Sequence, residues 1–108
     1  MAHIDYPDEV ASLLSLYGER VRTARVRRRW SLAGLAERIG VERRTIARLE
    51  AGNPGVGVGV FLTALWVLGL GDTAQDVAIP DADKVGAFLD RQRQPKRVRP
   101  KRDEELDF

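Results

Sequence analysis

Three arginines fall within the short run RRTIAR, residues 43–48, and their side chains are the groups in this sequence best suited to bind a base or a phosphate. At about 100° per residue, a helix through this run puts Arg43, Arg44, Ala47 and Arg48 on one arc, which we call the arginine face. Each guanidinium is a fork that can bind guanine O6 and N7 together, or a phosphate. Ala47 is small enough to let base edges approach. Arginines on a helix often only face water, but three around a small residue favour contact with DNA.

The elements that would position this face form a helix-turn-helix. Ser31 is a good N-cap for a helix over 32–39, and Gly40 suits the left-handed end of that helix. A second helix is predicted over 42–50, with Gly52 just past its end. One apolar set joins the two helices: Leu35, Ala36, Ile39, Val41, Ile46 and Leu49. Two helices around a short turn with glycine are typical of this DNA-binding motif.

A long first helix precedes the motif. Apolar residues at helical spacing predict that it starts near Asp8, capped by Asp8 or Ser12, and runs to about Arg29. Its outer face is rich in arginine. We expect one or two of Arg22, Arg28 and Arg29 to contact phosphate, the alternative being an ordinary solvated face.

A fourth helix, VFLTALWVLGL, completes the first predicted domain, residues 8–71. It is apolar on nearly all sides, and one small chain cannot bury that much apolar surface by itself. A two-fold dimer would cover the excess, with Phe61 and Trp66 as the candidate shared surface. The alternative for both residues is ordinary core packing.

Residues 72–91 are predicted to be a short helical extension that serves as a dimer or partner contact. A helical turn is expected over 72–78, ended by Pro80. A last helix is expected over 83–91, capped by Asp81 or Asp83. From residue 92 the composition changes to dense charge with two prolines, which predicts a disordered tail over 92–108.

Composition excludes several classes of protein. There is no cysteine, and the only histidine, His3, has no neighbours to complete a metal site, so no metal, cofactor or catalytic triad is expected. No apolar run is long enough to span a membrane, and the start lacks the features of a signal peptide. Residues 20–52 carry ten Arg against three Glu, a bias typical of nucleic-acid binding. We expect a cytoplasmic, nucleoid-associated protein that is not an enzyme.

The run LAERIGVERRTIARLEAG, within Leu14–Leu70, resembles the DNA-binding domain of lambda-repressor-like (Xre-type) regulators. The resemblance implies an all-α fold of four to five helices, whose second motif helix enters the major groove of a double-stranded operator. Arg43 and Arg44 would then read bases, and Arg48 a base or a phosphate. The full set expected to contact DNA is Arg28, Ser31, Arg43, Arg44, Thr45, Ala47, Arg48 and Asn53.

The same resemblance implies an internal ion pair between Arg25 and Glu50 that holds the motif on the first helix. The sequence departs from the family at two positions. Leu32 stands where a phosphate-binding Gln is usual, and Glu42 stands where the recognition helix usually starts on Ser or Thr.

Beyond residue 70 the chain resembles the HipB-like antitoxins encoded beside HipA-type serine/threonine kinases, in its LGLGDTAQDVAIPDADKVG segment, its PKRVR run and its acidic end. This implies a homodimer that represses its own operon and holds the kinase toxin, with Leu106 and Phe108 docking into that partner. The alternative is a stand-alone transcriptional regulator with a tail that is only solubilising. An adaptor that does not bind DNA is disfavoured by the arginine face.

Overall fold

The computed structural model describes residues 5–94, and its contacts divide the chain into two compact units, the first ending at Gln75 and the second beginning at Asp76. The described residues form helices and no strand, as expected for an all-α fold. The α-helices are α1 Asp8–Arg27, α2 Leu32–Ile39, α3 Arg43–Glu50, α4 Val58–Val67 and α5 Lys84–Arg93, with 3₁₀ helices at Gly71–Ala74 and Pro80–Ala82. None of these helices combines the length and the apolar character needed to cross a membrane.

The first helix differs from its prediction at both ends. Neither Asp8 nor Ser12 caps it, because the helix begins directly after Pro7, with no side chain bonded to its free amides. It ends at Arg27 rather than Arg29, because Arg29 turns into the left-handed region at φ 59°. This reversal lets the Trp30 amide donate to the Arg25 carbonyl, at 3.2 Å, and directs the chain into α2.

The turn between α2 and α3 forms as local sequence chemistry predicts. Ser31 Oγ accepts a hydrogen bond from the Gly34 amide at 2.9 Å, which caps α2. Gly40 adopts φ 91° at the other end of that helix, a conformation that costs a glycine little. Glu42 lies just outside α3 with an extended backbone, and its side chain caps nothing. Helix α3 therefore starts at Arg43, one residue later than predicted.

The core of the first unit lies where α2 and α3 meet α1 and α4. Its buried apolar side chains are Val21, Ala24, Leu35, Ala36, Ile46, Leu49, Ala64 and Leu68. α3 crosses α1 at Gly18, where a Cβ would collide with the carbonyl oxygens of Leu49 and Glu50. Only glycine lets the two backbones come this close. The end of α3 is thus fixed directly against α1.

The second unit contains the 3₁₀ helix at Pro80–Ala82 and α5. Asp83 caps α5 by accepting from the Gly86 amide at 2.9 Å, as predicted, and the helix runs two residues further than expected, to Arg93. The helical turn expected over 72–78 is shorter, a 3₁₀ helix of Gly71–Ala74, and Pro80 begins a helical turn rather than ending one. Proline suits a first helical position because its missing N–H would have no partner there. The predicted tail from residue 95 onward lies outside the described residues.

Candidate nucleic-acid interface

The arginine face lies on the outside of α3, and the aliphatic side of the same helix faces the core. Ile46 is fully buried and Leu49 is 8% exposed, while Arg43, Arg44 and Arg48 are exposed. Ala47 and Thr45 are half-buried. Burial of the aliphatic residues fixes the rotation of α3 about its axis, so the three guanidiniums are directed to solvent as the helical spacing predicts.

The three guanidiniums of this face are not equivalent. Arg43 and Arg48 make no hydrogen bond or ion pair with any side chain in the described part of the chain. Arg44, by contrast, donates from Nε to Glu42 Oε1 at 3.2 Å. Arg43 and Arg48 therefore present all five of their N–H donors outward, and Arg44 presents those of its two Nη atoms.

Two neutral residues predicted to contact DNA have structural roles in their own turns. Ser31 Oγ accepts the capping bond from Gly34, which leaves the hydroxyl hydrogen as a donor. Asn53 Oδ1 accepts from the Gly55 amide at 2.7 Å, which leaves the side-chain amide as a donor. Both residues are exposed. Their contact with phosphate stays a prediction.

Arg25 and Glu50 form a bidentate salt bridge between α1 and the last residue of α3. Arg25 donates from Nε to Glu50 Oε2 at 2.6 Å and from Nη2 to Oε1 at 2.9 Å, and its Nη1 donates to the Trp30 carbonyl at 2.8 Å. The side chains are 11% and 7% exposed. The hydrogen bond to Glu50 raises the pKa of Arg25, outweighing the opposite effect of burial. Arg25 thus stays charged, and the pair ties α1 to α3 and to the turn before α2.

A family model described as a helix-turn-helix domain matches residues 7–77, well over half of the chain. The chain belongs to this helix-turn-helix family. It is therefore a DNA-binding regulator, and the match runs from α1 to just beyond the first 3₁₀ helix. A search of curated proteins finds no match.

Arg28, a predicted phosphate contact, has its guanidinium bonded within this helix-turn-helix domain. It donates from Nη1 to the Ala24 carbonyl and from Nη2 to the Leu68 carbonyl, both at 2.7 Å. Leu68 is the C-cap of α4, whose last carbonyls have no helical partner. Arg28 therefore joins the ends of α1 and α4, while its neighbours Arg22 and Arg29 are exposed and bonded to no other described side chain.

The two residues predicted for a dimer surface lie in different environments. Phe61 is half-buried and stacks on Tyr17 of α1, with ring centroids 5.5 Å apart. Trp66 is 74% exposed, and it follows Val58 and Leu62 at intervals of four residues along α4. These last three side chains share one face of the helix, which we call the α4 stripe.

One contact near the candidate interface was not predicted from the sequence. Arg38 of α2 lies over the Trp30 ring, with its central carbon 3.9 Å from the ring centroid, and donates to the Gly34 carbonyl at 3.0 Å. Arginine on tryptophan is a favourable cation–π arrangement. The residues are eight positions apart and flank a helix start, so no helical periodicity predicts the pairing.

Proposed function

We propose that this protein reads a DNA operator with the arginine face, inserting the start of α3 into the major groove. The observation that carries the proposal is the orientation of α3, with Ile46 buried and Arg43 and Arg48 exposed without partners among the described side chains. Each free fork matches the O6 and N7 acceptors that guanine presents in that groove. The half-buried Ala47 leaves room for base edges between them.

The surroundings of α3 supply the groups that would hold it in register on the duplex. Ser31 and Asn53 keep a donor each after their turn bonds, and Arg22 and Arg29 are exposed. Contacts of this kind to phosphate oxygens position a protein without reading sequence. Arg28 also keeps N–H donors after its two carbonyl bonds, so it can join them without breaking either bond.

We propose further that the protein binds its operator as a homodimer through the α4 stripe. Val58, Leu62 and Trp66 are 69%, 44% and 74% exposed, a continuous apolar strip on a helix without charged residues. Covering such a strip removes apolar surface from water. A two-fold dimer would also present two recognition helices to a symmetric operator, about one helical turn of DNA apart.

The biological role that we propose is that of a cytoplasmic, nucleoid-associated antitoxin, which represses its own operon and neutralises a HipA-type kinase toxin. Support comes from the resemblance described above, including the tail residues Leu106 and Phe108, which lie outside the described residues. The second unit offers a further apolar strip on α5, with Val85, Phe88 and Leu89 exposed. Phosphoryl transfer would belong wholly to the kinase.

Selection of DNA from a random pool by the purified full chain tests the DNA-binding part of the proposal. We expect enrichment of a palindromic site, and a variant with Arg43, Arg44 and Arg48 all changed to Ala should enrich none. Equal enrichment by the variant would show that another surface reads DNA.

The antitoxin part is tested by the gene neighbourhood and by affinity purification from the native cell. A kinase-like reading frame that overlaps this gene and a kinase that co-purifies with the protein would support the antitoxin. Recovery of operator DNA with no protein partner would favour the stand-alone regulator.

A further inference from the structure

The start of the recognition helix holds a carboxylate where DNA would approach. Glu42 lies immediately before α3 and is 75% exposed in its side chain. A negative charge at this position repels the phosphates of DNA. The Glu42 side chain also makes no capping hydrogen bond that would compensate for this repulsion by stabilising α3. The contact that Glu42 does make is with Nε of Arg44, at 3.2 Å.

This contact depends on the non-helical backbone of Glu42. Side chains two positions apart in a helix point to different sides and do not meet. Glu42 has φ −78° and ψ 152°, an extended conformation, so its side chain can reach along the first turn of α3 to Arg44. A Ser or Thr at this position would cap the helix but would be too short to hold the guanidinium.

We infer that Glu42 is a positioning residue that holds Arg44 for end-on recognition of one guanine. This inference rests on the proposed function, since it concerns how the arginine face reads a base. With Nε–H bonded to the carboxylate, the remaining donors of Arg44 are on Nη1 and Nη2, the two tips of the fork. They match guanine O6 and N7, and the bond to Glu42 favours one rotamer of Arg44 before DNA binds.

The pair contributes specificity rather than stability. Arg44 is 72% exposed, and salt bridges between exposed side chains stabilise a fold very little. Ordering a long side chain before binding lowers the entropy that association must remove. The carboxylate also disfavours contact of Arg44 with phosphate, so its charge discriminates against the non-specific mode. Arg43 and Arg48, which lack such a partner in the described residues, are free to contact either bases or phosphates.

The test compares wild type with Glu42→Ala, Arg44→Ala and the double variant, with Glu37→Gln as the matched control. Glu37 is an exposed acid of α2 without a partner in the described residues, so it reports the general effect of removing one negative charge. Each full-length protein is titrated with the selected operator and with operators altered at one base pair. The discrimination ratio at the base pair that Arg44→Ala relaxes is the readout.

We expect Glu42→Ala to lower that ratio by roughly three- to tenfold, the effect of leaving one long side chain to be ordered on binding. Glu37→Gln should leave the discrimination ratio within about twofold of wild type. Both Glu37→Gln and Glu42→Ala should bind random DNA more tightly than wild type, because each removes a negative charge. In the Arg44→Ala background, Glu42→Ala should have no further effect on the ratio. Thermal melting of Glu42→Ala is expected to match wild type, because no capping bond is lost.

Three results would overturn the inference. An unchanged ratio in Glu42→Ala would show that Arg44 needs no positioning. A further loss of discrimination in the Arg44→Ala background would show that Glu42 reads a base itself, as a carboxylate can with the cytosine amino group. An Arg44→Ala variant that keeps every base preference would remove Arg44 as a reader while leaving the proposed function intact. A wild-type protein that prefers no sequence would instead refute the proposed function, and the inference with it.

Discussion

Loss of either partner of the Arg25–Glu50 pair should destabilise the domain far more than it alters sequence preference. Changing Glu50→Leu leaves the Arg25 guanidinium buried with only the Trp30 carbonyl as a bonded acceptor, and Arg25→Met leaves the Glu50 carboxylate buried without its cation. Removal of one member of a buried pair costs about 3–5 kcal/mol. The side chains of Arg25 and Glu50 are still 11% and 7% exposed. We therefore expect a loss of stability at the lower end of this range, about 3 kcal/mol.

The expected change in melting temperature follows from the size of the domain. For a domain of 60–100 residues, 1 kcal/mol corresponds to about 4–8 °C. Either single variant should therefore melt roughly 12–24 °C lower than wild type. Urea unfolding followed by far-ultraviolet circular dichroism measures the free energy, and a thermal scan measures the midpoint. The exposed pair of Arg44 and Glu42 supplies the control, since Arg44→Ala should lower the free energy of unfolding by no more than about 1 kcal/mol.

A double variant separates the buried charge from the packing. Arg25→Met with Glu50→Leu removes both charges and retains apolar volume, so it should recover much of the loss, as uncharged replacements of buried pairs often do. Operator discrimination, measured well below the lowest melting temperature, should stay near wild type in every folded variant. Single variants that lose less than about 1 kcal/mol, or that change base preference while melting normally, would refute the structural role of the pair.

Four further predictions use the same molecule. Arg44→Ala should weaken binding to the selected operator by about 1–3 kcal/mol and relax one base position; an equal loss on random DNA would mean that Arg44 only contacts phosphate. Gly18→Ala should destabilise the domain by about 1–3 kcal/mol because the added Cβ would collide with the α3 backbone. Gly59→Ala is the control: its added Cβ meets no other atom, so it should be neutral or stabilising by up to about 1 kcal/mol. Equal melting temperatures of the two variants would contradict the close crossing of α1 and α3. Trp66→Ala should shift sedimentation toward the monomer without lowering the melting temperature of the monomer, and an unchanged association constant would exclude the α4 stripe as the dimer contact. Deletion of residues 103–108 should leave operator binding intact and weaken the kinase complex, and loss of the operator gel shift would contradict this division.

Features set by local chemistry were predictable from the sequence. Ser31 caps α2, Gly40 and Gly52 take positive φ at the ends of the two motif helices, and Ile46 and Leu49 are buried. Each depends on a side chain or a periodicity within a few residues. The orientation of the arginine face follows from the same spacing. The positions of three arginines in an eight-residue helix were therefore enough to predict that this face points to solvent.

Features set by contacts between distant segments were not predictable in this way. Arg28 reaches the Leu68 carbonyl, forty residues away, and so has a structural role that the sequence did not indicate, while its contact with phosphate stays a prediction. Gly18 lies within an ordinary helical pattern, and only the crossing with α3 shows why it is glycine. The Arg25–Glu50 pair was expected from family resemblance, since no periodicity links residues twenty-five apart.

Chemical interference on the selected operator tests most directly whether α3 reads the major groove. Methylation of guanine N7 blocks an acceptor that lies in that groove. If the arginine face reads bases, methylation at a few guanines in each half-site should abolish binding by the wild-type protein. Arg44→Ala should lose the interference at one of these guanines and keep it at the others. Interference that arises only from modified minor-groove positions, or an identical pattern for wild type and for the variant lacking all three arginines, would contradict the account.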